Sequence, residues 1–322
     1  MKKKSPLFLN KVKKTIINIA QFCIKKSAPM QKIYSRYSQT KYGRLIRMDS
    51  FYVYPMLFLP TWCAIWIADQ STNLMSRVLL CLVFAVGSFI MRSLGCVLND
   101  IADMKIDREI TRTKNRPLAS GEMKVSEAIS VVLIMSGLAF SILLTLPTNV
   151  FIIGMIGALM TMLYPFAKRF THLPQIILGL TFNIGVLMAW LTVNHQNYFQ
   201  LMMLYIGFAI FTFGYDTIYA CQDLEEDLKA GVKSFATLLK LKGQDIKVAV
   251  WKIYRIAVSC IGISGLSMNL NSSFFFGLAA ALYVLYNSLE SCDISDPKSC
   301  AEHFKKSTIF LFILFLGTVF GG

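Results

Sequence analysis

Nine residues closing an apolar run, Asn99-Asp-Ile-Ala-Asp103-Met-Lys-Ile-Asp107, carry side chains suited to one kind of chemistry. On a helix, residues four apart lie on nearly the same side. Asn99, Asp103 and Asp107 therefore form a stripe, and Asp100 stands beside it. A stripe of oxygen donors suits a hard divalent cation, and Mg²⁺ in particular favours sites that leave positions for substrate phosphates. Taken alone, such a cluster could equally be a solvated acidic turn. A second array, Asp216, Asp223, Glu226 and Asp227, weakens that reading, because Asp216, Asp223 and Asp227 again follow helical spacing. Two carboxylate stripes imply one shared ligand.

The cations nearby fit the same idea. Residues 111–116 form a basic run in which Arg112 and Arg116, four apart, present two charges to a diphosphate if the segment is helical. Lys168 follows Tyr164 and Pro165 at the end of a later apolar run. It reads either as a phosphate ligand or as an ordinary positive anchor at the membrane surface. Tyr219 precedes Asp223 by four, a spacing that on a helix would turn it toward the same cavity. Arg92 lies inside the apolar run, seven residues before Asn99 and on the same helix face. A guanidinium at that depth is expensive unless it faces a cavity or a partner; it either pairs with an acidic array or clamps a ligand carboxylate. Together these groups suggest a Mg²⁺-bridged diphosphate at the mouth of a membrane bundle, with a lipid tail among the helices. Such a site stabilises charge on a leaving diphosphate. The carbon–oxygen bond that breaks leaves an allylic cation for an electron-rich acceptor to capture.

The elements that must position these groups are membrane helices. The chain has 322 residues, 55% of them hydrophobic, in runs near the length that crosses a bilayer. Hydropathy places nine spans at residues 51–68, 78–98, 126–146, 149–166, 174–193, 198–219, 248–268, 273–290 and 307–321, the last being the shortest. Tight polar connections separate several of them: Pro147-Thr148-Asn149, Asn194 to Asn197, and Asn269 to Asn271. Lys and Arg gather in the loops after the second, fourth, sixth and eighth spans, whereas the opposite side shows only Arg77. The positive-inside rule therefore puts the amino terminus and these loops on the cytoplasmic or matrix side. Four spans separate the two acidic arrays, and an even number of crossings returns the chain to the same face.

Composition excludes several classes. The formal charge of +15 resides in the amino-terminal arm and the loops, without a nucleic-acid motif. Eight cysteines are scattered without a Cys-x-x-Cys pair and read as small apolar fillers. His172, His195 and His303 fall outside the acidic arrays, which argues against zinc, haem or a histidine base. Residues 1–48 hold thirteen Lys or Arg and no acidic residue. Residues 1–43 accordingly read as a basic arm of the transit-peptide kind, or as an arm lying on anionic lipid, ahead of one membrane domain at 44–322.

Over residues 44–321 the chain resembles the UbiA family of intramembrane aromatic prenyltransferases, and within it the 4-hydroxybenzoate polyprenyltransferase branch. The likeness rests on Arg92-Ser-Leu-Gly-Cys-Val-Leu-Asn99 running on to Asp107, and on Thr113-Lys-Asn-Arg-Pro-Leu-Ala-Ser-Gly121. It rests equally on Tyr215-Asp-Thr-Ile-Tyr-Ala-Cys-Gln-Asp223-Leu-Glu-Glu-Asp227, followed by Gly231-Val-Lys-Ser234. The resemblance implies an all-α bundle of nine membrane helices with a polar cap over one face. It implies Mg²⁺ held by Asn99, Asp103 and Asp107 on one side and by Asp223 and Asp227 on the other, flanked by Asp100 and Glu226. Arg112, Arg116 and Lys168 would bind the diphosphate, Tyr164 would line the cation site, Tyr219 would be a substrate-binding residue, and Arg92 and Arg47 would serve the acceptor. The implied reaction joins a polyprenyl chain to 4-hydroxybenzoate, ortho to its hydroxyl, in ubiquinone biosynthesis. Membrane lipid and other quinone-biosynthesis proteins would be its partners, and nucleic acid would not.

The branch's usual Arg-x-Asp-Lys-Pro-x-Gly reads here Arg47-Met-Asp49-Ser-Phe-Tyr-Val53, so the Lys, Pro and Gly are missing beside the acceptor pocket. A sister enzyme using homogentisate or a naphthoate is therefore the nearest alternative, and the second array argues against the haem branch. A transporter would spread its charges through broken spans in matching halves, which this chain does not do. The arm favours the mitochondrial inner membrane with the acidic motifs facing the matrix; the alternative is a bacterial plasma membrane with the motifs facing the cytoplasm.

Overall fold

The computed structural model describes residues 34–69 and 73–322. Most of the basic arm, and with it the transit-peptide expectation, lies outside the described residues. The described residues form helices and turns without a strand. Among the described residues nine helices make the bundle: α1 Pro55–Ala68, α2 Leu74–Asp107, α3 Val125–Leu143, α4 Thr148–Phe170, α5 in two halves Pro174–Phe182 and Ile184–Val193, α6 Tyr198–Ala220, α7 Ile246–Ser267, α8 Ser272–Glu290 and α9 Pro297–Gly321. Among the described residues, seven of these are long and apolar enough to cross a membrane. The other two differ for separate reasons. At 14 residues, α1 is about 21 Å long and short of an apolar layer of about 30 Å. Helix α7 carries Lys247, Lys252 and Arg255.

Local chemistry sets the boundaries. Helix α2 starts where the Asn73 side chain accepts from Met75 N at 2.9 Å. It then runs 34 residues, well past the expected end at 98, so the acidic stripe rides on its last three turns. Asn197 and Asn269 adopt φ of 59° and 55°, the left-handed region that Asn tolerates and that turns a chain between helices. Asp245, Asn271 and Asp296 cap α7, α8 and α9 with their carboxylate or amide oxygens. Helix α5 breaks at Asn183, whose Nδ2 donates to Gly179 O at 2.8 Å and to Thr212 Oγ1 of α6 at 2.9 Å. These two bonds tie the interruption to its own helix and to α6 inside the bundle, where a broken helix at membrane depth finds its partners.

Helix α6 is the centre: 67% of its apolar window is buried, against 6% for the peripheral α3. Around it pack Phe211 and Phe310, stacked at 4.4 Å, with Tyr254 and Trp190 fully buried nearby. Helices α8 and α9 approach most closely at Gly277 and Gly317, where a Cβ on Gly277 would stand 2.7 Å from the Gly317 Cα. At the far end of the bundle Arg77 reaches Asp69 at 3.8 Å and covers the Trp66 ring. The seven described cysteines are free thiols, five of them buried.

Candidate active site

At the end of α2, Asp100, Asp103 and Asp107 are all buried, with at most 5% of their surface exposed. Carboxylates so placed need counter-charges. Residues 108–123 supply them. The helical condition under which Arg112 and Arg116 would share a face is not met: the segment is a string of turns, closed by Thr113 N to Ile110 O and Arg116 N to Thr113 O bonds. The reason is visible at its start, where Thr113 Oγ1 donates to Asp107 O and ends α2, and at Pro117, which disfavours helix in the residue before it. The turn arrangement points the two guanidiniums at different targets.

Arg116 Nη1 donates to Asp107 Oδ2 at 2.7 Å and to Asp100 Oδ1 at 3.2 Å. Arg47, at φ 59°, donates to the same Asp100 Oδ1 at 2.5 Å. Burial opposes the charge on Arg47, yet Asp100 beside it holds the guanidinium above its ordinary pKa. Arg112 crosses to the second array: its Nε donates to Asp223 Oδ1 and Oδ2 at 2.9 and 3.0 Å, its Nη2 bonds Oδ2, and its Nη1 donates to the Tyr219 hydroxyl at 3.2 Å. Burial again opposes the charge, and Tyr219 and Asp223 again raise the pKa of the guanidinium. Glu226 adds a further tie by accepting from Thr111 N at 3.0 Å. The loop after α2 and the segment after α6 are therefore stitched into one cap.

Under that cap lie two adjoining cavities. One, of about 190 Å³, is polar and is lined by Asn99, Asp103, Asp107, Asp223 and Asp227 among others. Both acidic sets thus face one chamber. The other, of about 950 Å³, runs between α2, α3, α4 and α5 and is walled mostly by apolar side chains. Asn99, Arg116, Tyr164, Asp216 and Tyr219 line both, so they form the seam at which a polar head and an apolar tail would join. Asp216, expected only as a member of the second stripe, stands on this seam. Lys168 belongs to α4, but its side chain lies outside the described residues.

The larger cavity contains a cation that the acidic sets do not claim. Arg92 is 9% exposed, its guanidinium lies 4.7 Å from the Tyr54 ring centroid, and its Nη1 is 3.5 Å from Cys96 Sγ. Its Nε has no hydrogen-bond partner, and among the described residues no carboxylate pairs with it. Of the two uses read from sequence, the structural ion pair is therefore not made. Tyr52, Tyr215 and Phe304 line the cavity with Arg92, and Phe304 contacts Tyr52, Tyr215 and Tyr219 at centroid distances of 6.4, 5.4 and 4.6 Å. Sequence reasoning missed Phe304, because it sits on the last helix with no motif around it. The segment that departs from Arg-x-Asp-Lys-Pro-x-Gly forms a 3-10 stretch, Met48–Val53, kinked at Ser50, and it supplies Ser50, Tyr52 and Val53 to this wall.

The donors of the polar chamber are carboxylate, amide and hydroxyl oxygens, the set that suits Mg²⁺ rather than a soft metal. Among the described residues no three His, Cys or carboxylate groups stand close enough together to hold an ion, and Asp100, Asp107 and Asp223 are paired with arginines. The donor chemistry fits a hard cation, with the guanidiniums as the present counter-charges.

Comparison with known proteins agrees with this geometry. Residues 57–316 match the model of the UbiA prenyltransferase family. The chain is 37% identical over 269 residues to a 4-hydroxybenzoate octaprenyltransferase of Legionella pneumophila, covering 82% of this chain and 91% of that one. It is 33% identical over 276 residues to the protein of that name in Pseudomonas savastanoi, covering 86% and 91%. Among solved structures, a UbiA homologue from Aeropyrum pernix superposes with a TM-score of 0.69 at 22% identity, covering 82% of this chain and 96% of that one. A homologue from Archaeoglobus fulgidus, bound to GPP and Mg²⁺, superposes at 0.65 and 17% identity, covering 87% and 99%. With the family model spanning most of its length and relatives above 30% identity covering nearly all of theirs, this chain belongs to the UbiA prenyltransferase family.

Proposed function

We propose that this protein transfers a polyprenyl group from polyprenyl diphosphate to 4-hydroxybenzoate, ortho to the hydroxyl, as the ring-prenylation step of ubiquinone synthesis. The observation that carries the reading is the seam: a carboxylate-lined polar chamber and an apolar cavity share Asn99, Tyr164, Asp216 and Tyr219, with an unclaimed guanidinium, Arg92, in the apolar part. The names and near-complete coverage of the bacterial relatives support the same substrates.

In this reading Asn99, Asp103 and Asp107, with Asp223 and Asp227 opposite, hold Mg²⁺. Bound there, the ion supplies charge stabilisation for the departing diphosphate. Arg112, Arg116 and Lys168 bind the diphosphate oxygens, the two arginines exchanging carboxylate partners for phosphate ones. The allylic carbon–oxygen bond breaks and its electron pair leaves with the diphosphate. Tyr164 and Tyr219 turn their rings toward the allylic cation at the seam, where the negative face of an aromatic ring favours positive charge. Arg92 clamps the acceptor carboxylate in bidentate fashion and fixes which ring carbon meets the cation. Arg47 serves indirectly by holding Asp100. A new carbon–carbon bond forms and the ring gives up a proton.

A bacterial plasma membrane, with the acidic ends on the cytoplasmic side, fits the relatives better than the mitochondrial inner membrane, for which they give no support. The test is an assay of membranes containing the protein with octaprenyl diphosphate, labelled 4-hydroxybenzoate and Mg²⁺, beside Asp103→Asn and Asp223→Asn. Lipid-soluble label that both substitutions abolish is the expected result. Label carried by homogentisate or a naphthoate, and not by 4-hydroxybenzoate, would overturn the acceptor assignment.

A further inference from the structure

The glycines that line the larger cavity differ in their surroundings. Gly154 and Gly157 on α4 are small because neighbours fill the space: a Cβ would meet Leu143 Cδ1 at 2.4 Å or Ile184 Cγ2 at 3.0 Å. Gly87 on α2 and Gly137 on α3 line the same cavity, yet a Cβ at either would meet no atom within 4 Å. Packing does not explain their size. A mid-helix glycine destabilises a helix relative to alanine, because it loses more backbone freedom on folding. Two such positions facing open cavity therefore call for another reason.

Their depth supplies one. Val97 of α2 and Ala128 of α3 belong to one small buried cluster of five residues beneath the cap, and their two helices pack side by side, so they serve as reference points for depth. Gly87 lies ten residues from Val97 and Gly137 nine from Ala128, both leading away from the polar cap. At 1.5 Å per residue those separations are about 15 Å and about 14 Å. The two glycines therefore open the cavity at the same depth from neighbouring helices. Gly87 is also about 18 Å along α2 from Asn99 on the seam. With carbon–carbon bonds of about 1.5 Å, an extended isoprenoid unit advances about 5 Å, so a tail anchored at the seam reaches this level at about its third or fourth unit. Gly137 is exposed on the side of the bundle beside exposed Leu133, Ile134 and Leu138, so the cavity meets the lipid-facing surface there.

We propose that Gly87 and Gly137 determine donor length: they keep the cavity open at one depth, and a large side chain at either excludes tails longer than about three isoprenoid units while sparing shorter ones. The proposal rests on the prenyl-transfer reading above. It differs from a packing role in affecting one end of the donor series only.

The experiment compares Gly87→Leu, Gly137→Leu and the corresponding Ala variants with the wild type, using purified protein with geranyl diphosphate and octaprenyl diphosphate. For each donor, kcat/KM with 4-hydroxybenzoate and the Kd of the donor in Mg²⁺ are measured. The Leu variants are expected to lose at least about tenfold in the octaprenyl-to-geranyl ratio, the scale on which an apolar pocket rejects excess bulk. The Ala variants, whose methyl meets nothing, keep the ratio and melt no lower than the wild type. Leu variants with an unchanged ratio, or with both donors lost together, overturn the proposal. A wild type that binds both donors but prenylates no aromatic acid refutes the transfer reading instead, and the ratio of donor Kd values then decides the inference.

Discussion

Arg112 grips the carboxylate of Asp223 with both Nε and Nη2 and lays its guanidinium 5.3 Å from the Tyr219 ring centroid, joining the two acidic segments by one side chain. Arg112→Ala removes the latch and, in the proposed reading, a diphosphate ligand. Steady-state kinetics should show kcat/KM for the donor falling about 10²-fold, the equivalent of about 2.7 kcal/mol, largely through a higher donor KM. An unchanged donor KM would reduce Arg112 to a structural tie.

Arg92 is tested with the acceptor. Arg92→Ala should raise the KM for 4-hydroxybenzoate at least about tenfold, consistent with loss of a charge-assisted pair of about 1.5–3 kcal/mol. The donor KM should stay near the wild-type value. Arg92→Lys should recover little of the loss, because an ammonium lacks the planar fork. Phenol, which has no carboxylate, should be used equally poorly by wild type and variant; a difference between them would contradict the clamp.

Metal removal offers a third check. Treatment with EDTA should abolish transfer, and Mg²⁺ should restore it, with Asp107→Asn and Asp227→Asn needing a higher Mg²⁺ concentration for half-maximal rate. Activity that survives chelation would show that the arginines alone carry the diphosphate charge.

A fourth prediction concerns stability. Helices α8 and α9 touch at Gly277 and Gly317, so Gly277→Val should overpack the contact and cost about 1–3 kcal/mol, read as a lower melting temperature in detergent. Gly87→Ala, facing open cavity, should hold or raise it. The opposite ranking would mean that the two glycines do not differ in their surroundings.

What the sequence could reveal follows from the range of the interactions. The stripe of Asn99, Asp103 and Asp107 was legible because helical period is a local property, and α2 does carry them as one helix. The meeting of both acidic sets over one chamber was legible from span parity and charge asymmetry alone. The conformation of residues 108–123 was not: the spacing of Arg112 and Arg116 fits a helix, but Thr113 and Pro117 end it, and carboxylates from two segments then choose each guanidinium's direction. The length of α2 was underestimated because hydropathy ends where charge begins, although the backbone continues as helix. Phe304 was invisible, since its role depends on α9 passing Tyr52 and Tyr219, which are distant in sequence.

Helix α2 runs unbroken from Leu74 to Asp107, so Gly87, Arg92, Asn99 and Asp107 ride on a single stiff rod. In the proposed reading, tail gauge, acceptor hook and head-group anchor therefore share one datum, and inserting a residue between Arg92 and Asn99 would swing the acidic end by about 100° relative to the rest. On that reading, change in the donor scale comes by substitution along the rod or at Gly137 of α3 facing it, never by shifting the rod's register. The aromatic side of the pocket is under no such constraint. It is built from Met48–Val53 and from Phe304, off the rod, where a lineage can retune which ring it accepts without disturbing the scale against which the tail is read.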